Sequence, residues 1–183
     1  MVMVSFVKKV INFFNKKKTI QWKNIENFDP NWKERIKDMS RYIDSGSVIV
    51  DLGCGEMWLK EFITEKESYI PVDYMSRGGD TIVCDFNNYE YPKTNSDTAF
   101  VSGCLEYIED FKWFVEKISQ SNTKCILSYC TTEYFPNMES RKQLAWKNNL
   151  SKFEVISLFE SNQLFLVDEN LTKTNNQIFV FKK

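Results

Sequence analysis

The chain has no histidine in its 183 residues. That excludes a Ser-His-Asp triad, a Cys-His dyad and any zinc site built on imidazole. It also removes the side chain best suited to proton transfer near neutral pH. Acid–base chemistry falls to Asp, Glu, Tyr, Cys or Lys, or the reaction needs little of it. No apolar run approaches the ~18 residues of a membrane-spanning helix. There is no surplus of positive charge: 24 Lys and Arg face 25 Asp and Glu, a net charge of −1. Nothing in that balance asks for nucleic acid as a partner. The cysteines, Cys54, Cys84, Cys104, Cys125 and Cys130, are odd in number and form no C-x-x-C, so neither a disulfide framework nor a zinc ribbon is indicated. They read as buried, reduced thiols of a cytoplasmic protein, and no metal is expected.

What is present suits one globular domain: 43% apolar and 27% charged residues on a chain long enough to bury a single core. Charge is uneven, however. Residues 1–24 carry Lys8, Lys9, Lys16, Lys17, Lys18 and Lys23 and no acid. With Val4, Phe6, Val7, Val10, Ile11, Phe13 and Phe14 at helical spacing, residues 2–16 read as a basic amphipathic helix. It is set off as an N-terminal segment (1–24) from a single domain over 25–183. Residues 1–18 are expected to cap the ligand site, to dock on the protein's own body or on a second copy in a homodimer, or to lie on an anionic membrane surface as a peripheral contact.

Asp29-Pro30 opens a helix whose apolar stripe is Ile36, Met39 and Ile43, ending at Ser45-Gly46. Strands are then expected at Ser47–Asp51, Tyr69–Asp73, Thr81–Cys84, Asp97–Ser102, Lys124–Cys130, Gln163–Val167 and Ile178–Phe181. Helices are expected at Glu56–Ile63 and Asp110–Gln120, and after the capping box Ser151-Lys-Phe-Glu154. Short, nearly all-apolar strands interleaved with helices argue for an α/β sheet, mainly parallel and covered on both faces.

The stretch that carries chemistry is Val48-Ile-Val-Asp-Leu-Gly-Cys-Gly-Glu56. A buried strand ends in an acid and turns through two glycines, which permit a sharp turn and close approach of a ligand to the backbone. A dinucleotide fingerprint would need a third glycine where Trp58 stands, so a pyrophosphate cradle is not indicated. The pattern D-x-G-x-G after an apolar strand instead resembles motif I of the class I S-adenosylmethionine (SAM)-dependent methyltransferases. Asp73 at the end of the second strand, Asp85 in Val83-Cys-Asp-Phe86, and Ser102-Gly-Cys-Leu-Glu-Tyr-Ile-Glu-Asp110 are similar to the family's next three segments, with Tyr107 where the family often has histidine.

The resemblance implies a seven-stranded, doubly wound Rossmann-like sheet with its last strand antiparallel, SAM as cofactor and S-adenosylhomocysteine as product. It implies a cofactor site at Asp51, Gly53, Cys54, Gly55, Asp73, Tyr74, Asp85, Phe86 and Gly103. Asp73 would take the ribose hydroxyls, Asp85 the adenine amino group, and Phe86 would lie along the ring. Glu106 and Tyr107 are the catalytic candidates. Glu133, Tyr134 and Arg141, between the fifth strand and the capped helix, are the candidates for binding a small-molecule acceptor, with Tyr129 and Trp146 beside them. Only Tyr74–Asp80 separates Asp73 from the third strand, too few residues for the helix usual there. Methyl transfer from a sulfonium needs positioning above all, and an anionic acceptor oxygen needs no base. The missing histidine therefore favours O-methylation of a phosphorylated or carboxylate metabolite, with Arg141 as clamp; a sugar acceptor would call on Glu106, Tyr107 or Glu133. Small relatives of this layout resemble enzymes of surface-polysaccharide pathways. N- or C-methylation of a small metabolite, a SAM-binding regulatory protein without transfer activity, and a nucleotide-binding Rossmann module are the alternatives.

Overall fold

In the computed structural model, which describes residues 21–183, seven strands form one sheet in the order β3-β2-β1-β4-β5-β7-β6. They are β1 Val48–Leu52, β2 Ser68–Asp73, β3 Ile82–Val83, β4 Thr98–Ser102, β5 Lys124–Tyr129, β6 Phe165–Leu171 and β7 Gln177–Lys182. The pairings of β1 with β2 and β4, of β2 with β3 and of β4 with β5 are parallel; β7 alone runs against its neighbours β5 and β6. This is the sheet expected from the sequence, down to the antiparallel last strand. The amphipathic helix expected over residues 2–16 lies outside the described residues, apart from which a short helix, α1, spans Trp22–Ile25.

The strands read as continuous apolar runs because both faces are covered. On one face Val50, Leu52, Val72, Val101 and Leu127 pack with α3 (Phe111–Ser121) and α5 (Lys152–Glu160). Successive side chains point the other way, so Ile49, Phe100, Ile126 and Ile178 meet Ile36 and Met39 of α2 (Trp32–Ser40). The expected Ser151 box is complete, each half of it bonded to the other's backbone. Asp110 caps α3 by accepting from the Trp113 N–H at 3.1 Å.

One expected helix does not form. Glu56–Ile63 holds only a 3₁₀ turn at Trp58–Glu61, entered through Met57 in the left-handed region (φ 55°) with no side-chain cap. The helix expected to be missing after Asp73 is missing, and β3 is two residues long. At the opposite edge, β6 carries an irregularity between Leu166 and Asp168. Between β5 and α5 lies a short helix, α4 (Met138–Gln143), capped by Asn137.

Candidate active site

β1 leaves the sheet through Gly53 (φ 84°) and Gly55 (φ 50°), conformations that side chains rarely adopt. The N–H groups of Gly53 and Cys54 donate to the Val72 carbonyl at 2.8 and 3.0 Å, tying the turn to β2. There is no room for a Cβ at either glycine: at Gly53 it would lie 2.7 Å from Cys104 Sγ, at Gly55 2.6 Å from a Phe28 ring carbon.

Asp73 faces this turn from the end of β2. Its Oδ2 accepts from the Gly55 N–H at 2.9 Å and its Oδ1 from Arg77 Nη2 at 3.2 Å. Arg77 also pairs with Glu26, which accepts from the Tyr74 hydroxyl at 3.1 Å. This network fastens residues 21–32 as a strap across the turn. Phe28 stacks edge-on with Trp22, Trp32 and Trp58, and Trp22 lies 4.8 Å from the Tyr107 ring.

Under the strap is a cavity of about 1370 Å³. Asp51, Gly53, Cys54, Gly55, Asp73, Tyr74, Asp85, Phe86, Gly103, Glu106 and Tyr107 all line it. Asp85 accepts from the Asn87 N–H at 3.0 Å, capping a 3₁₀ turn. Phe86 is mostly sunk in the core against Phe114, their ring centroids 4.8 Å apart.

Glu106 and Tyr107 belong to the 3₁₀ turn Leu105–Tyr107 that follows β4. Glu106 Oε1 accepts from the Cys130 N–H at 3.0 Å, while Oε2 is buried with no partner among the described residues. Burial raises the Glu106 pKa above the usual carboxylate range. Burial, with the Glu106 charge adding to it, also raises the Tyr107 phenol, so Tyr107 is neutral at any ordinary pH. It can roof the cavity or donate a hydrogen bond; it cannot easily take a proton.

Three residues expected at the acceptor are elsewhere. Arg141 is fully buried and does not line the cavity. Its Nε donates to Asn149 Oδ1 at 2.6 Å, Nη1 to the Cys130 and Phe135 carbonyls at 2.9 and 3.1 Å, and Nη2 to the Tyr129 hydroxyl at 3.1 Å. A guanidinium spent on the chain's own oxygens has nothing left to clamp a ligand. Glu133 accepts from the Lys152 N–H at 3.0 Å, satisfying the start of α5, and Tyr134 is exposed on the surface. Trp146 does line the cavity; Tyr129 does not. The cavity is lined as well by residues that sequence reasoning passed over: Arg35 of α2, Cys130, and Thr172, Thr174 and Asn176 of the β6–β7 turn. Arg35 carried a signal, since it stands between Trp32 and Met39 on the apolar stripe of α2, where a charge needs a reason.

Asp51 predicts a pH effect. Burial, with Asp73 adding to it, pushes its carboxyl up to about 7, although the Tyr69 hydroxyl donates to it at 2.7 Å. An acid whose pKa is higher folded than unfolded holds its proton preferentially in the native state. Its contribution is full below about pH 4 and is lost as pH rises to about 7. Asp51→Asn, which cannot ionise, should therefore gain stability relative to the parent chain as pH rises through that window. Denaturant melts from pH 4 to 8 that stay parallel would refute it.

No family model matches the chain, and none of the curated proteins matches it. Solved structures do. A 1,6-didemethyltoxoflavin N1-methyltransferase from Burkholderia thailandensis, holding 1,6-didemethyltoxoflavin and S-adenosylhomocysteine, superposes with a TM-score of 0.62 at 12% identity, over 100% of this chain and 87% of that one. Magnesium protoporphyrin IX methyltransferase from Synechocystis PCC 6803, with bound S-adenosylhomocysteine, gives 0.66 at 12% identity over 96% and 99%. A SAM-dependent methyltransferase from Mesorhizobium loti gives 0.66 at 14% identity over 80% and 96%. The fold is that of the SAM-dependent methyltransferases. At these identities the likeness is one of fold. The chain spans just 54% of the length of another match, a pyocyanin biosynthetic protein. Placed on the methyltransferase fold, the glycine turn, Asp73 and Asp85 occupy the carboxyl ends of β1, β2 and β3, the edge at which open α/β sheets bind ligands. Among the described residues no helix is long and apolar enough to cross a membrane, and no cluster of ligating side chains could hold a metal.

Proposed function

We propose that the protein is a SAM-dependent methyltransferase that transfers a methyl group to oxygen on a small polar acceptor. The observation that carries this reading is the shared cavity. The glycine turn, Asp73, Asp85, Glu106, Tyr107 and Arg35 all line it.

The residues fit the cofactor. Neither glycine could carry a Cβ, whose place is taken by Cys104 at Gly53 and by Phe28 at Gly55, so both hold the turn in the form that lines the cavity. Asp73 uses its two oxygens once each, and a carboxylate has about four acceptor sites, so two remain for a pair of hydroxyls. Bound SAM supplies an electrophilic methyl on a sulfonium. The chain's own residues hold the acceptor in line with it and exclude water, with Trp22 and Phe28 of the strap as the roof. Small acceptors suit a cavity of about 1370 Å³ that lies beneath a strap. The Burkholderia and Synechocystis matches, which bind S-adenosylhomocysteine, support the cofactor. An acceptor of the phosphorylated, carboxylate or sugar class, and a place in surface-polysaccharide synthesis, extend the same reading. Mass spectrometry of the purified protein, followed by calorimetric titration with S-adenosylhomocysteine, tests it. A chain that neither carries nor binds that compound is not a methyltransferase.

Catalysis is expected to rest on positioning. Tyr107→Phe keeps the ring against Trp22 and removes only a phenol that is already neutral. Turnover should fall less than about tenfold, where loss of a general base would cost ~100-fold or more. A loss of that larger size with cofactor affinity intact would make Tyr107 the base.

A further inference from the structure

Trp146, just after α4, is held in place by several neighbours and still lines the cavity. The chain enters it through Ala145, a buried residue in the left-handed region (φ 63°) without being glycine. Such a backbone costs energy and persists only where its surroundings hold it. Here they do. The Trp146 N–H donates to the Arg141 carbonyl at 3.1 Å, and the Lys147 N–H to the Glu106 carbonyl at 2.7 Å. The second bond ties the segment to the turn that carries Tyr107.

The indole is fixed as firmly as its backbone. The Arg141 guanidinium lies over the ring, 4.6 Å from its centroid, and the Phe135 ring packs against it at 5.2 Å. Arg141 is itself fully buried, stays out of the cavity and is anchored by its own hydrogen bonds. Phe135, Trp146, Tyr107 and Trp22 are all half-buried residues that line the cavity, and the Trp22 and Tyr107 rings lie 4.8 Å apart. A large ring immobilised by a buried network loses little further freedom when a ligand stacks on it. Its surface suits a second flat ring; an acyclic phosphate or carboxylate would leave it uncovered. The guanidinium also draws π density from the indole, which favours an electron-rich aromatic ring over the C–H face of a sugar.

We propose that Trp146 is the platform on which the acceptor lies flat, and that the acceptor is therefore a hydroxylated six-membered ring, aromatic or pyranose. That the ring is a methyl acceptor rests on the methyltransferase reading. The platform itself rests on the geometry around Trp146.

Ligand-observed NMR titrations of the full chain, with and without S-adenosylhomocysteine, test this with catechol, methyl β-glucopyranoside and glycerol 3-phosphate as probes. The variants are Trp146→Phe, which keeps a flat face, and Trp146→Leu, which keeps apolar bulk without one. Catechol should bind the parent chain best and glycerol 3-phosphate worst. Trp146→Leu should weaken ring binding about tenfold or more, and Trp146→Phe should recover most of that loss. A merely structural role would treat Phe and Leu alike, and unchanged S-adenosylhomocysteine affinity shows that both variants are folded. If Trp146→Leu does not fold, intermolecular contacts between the ring probe and the Trp146 indole of the parent chain, assigned by their loss in Trp146→Phe, give the same answer. The glucoside binding ahead of catechol would assign the ring to a sugar and support the platform. Ring binding that depends on Trp146 in a chain that does not bind S-adenosylhomocysteine would leave the platform standing and end the methyltransferase reading. Ring affinities equal in the parent and Trp146→Leu, or no binding of either ring, would overturn the platform.

Discussion

Asp73→Ala is expected to weaken SAM binding by about 2–4 kcal/mol, roughly 30- to 1000-fold, because charge-assisted bonds to two hydroxyls are lost together. The structure adds a second component. The same carboxylate accepts the Gly55 N–H and anchors Arg77, so its removal also loosens the glycine turn and takes from Arg77, which holds the strap through Glu26, one of its two acids. Asp73→Asn separates the two components. An amide oxygen can still accept from Gly55, but the amide nitrogen would meet Arg77 donor to donor. The Asn variant should therefore recover more thermal stability than cofactor affinity. Calorimetry showing unchanged affinity in the Ala variant would remove Asp73 from the site.

Arg141→Leu should destabilise the fold by about 4 kcal/mol, at the upper end of what single substitutions do. Its guanidinium ties the Cys130 and Phe135 carbonyls to Asn149 and the Tyr129 hydroxyl, and stacks on Trp146 at 4.6 Å. A leucine removes the donors that hold the Cys130 and Phe135 carbonyls and the Asn149 side chain together, and replaces the planar fork at a fully buried position by a shorter apolar group. Arg141→Lys should recover little, since one ammonium cannot reach acceptors spread around a planar fork. Urea unfolding gives the difference directly. A variant within about 1 kcal/mol of the parent would mean that Arg141 is dispensable to the fold.

These two residues also show how far the sequence could be read. Asp73 was legible because its place follows from strand order: an acid that ends the second parallel strand must emerge beside the turn that ends the first. The Ser151 box was legible for a similar reason, since its partners lie within one turn of the same helix. Arg141 was not. A cation on a short helix after β5 suits a ligand clamp equally well until the segment is known to fold back, so that carbonyls 11 and 6 residues before it converge on it. Arg35 was missed for the converse reason, because its partners Ser102 and Asn176 lie 67 and 141 residues away. The failed helix at Glu56–Ile63 has adequate periodicity but no cap, and Met57 takes a conformation that ends any helix there. Local signals carried the frame; the contents of the cavity depended on contacts that only the fold brings together.

The two ends of the sheet matter for how this chain behaves at high concentration. An open sheet offers unpaired backbone at both edges, and a long flat edge is a template on which a second chain can zip into fibrils. β3 is too short for that, with two residues to offer. β6 is longer and exposes Phe165 and Val167, but its ladder is broken between Leu166 and Asp168, and Asp168 and Glu169 place two carboxylates at the break. A break of this kind twists the strand away from flatness, and the paired charges repel an identical edge laid alongside. Among the described residues both edges of the open sheet thus work against a second chain pairing there, and Asp168 and Glu169 are the acids whose loss would invite aggregation.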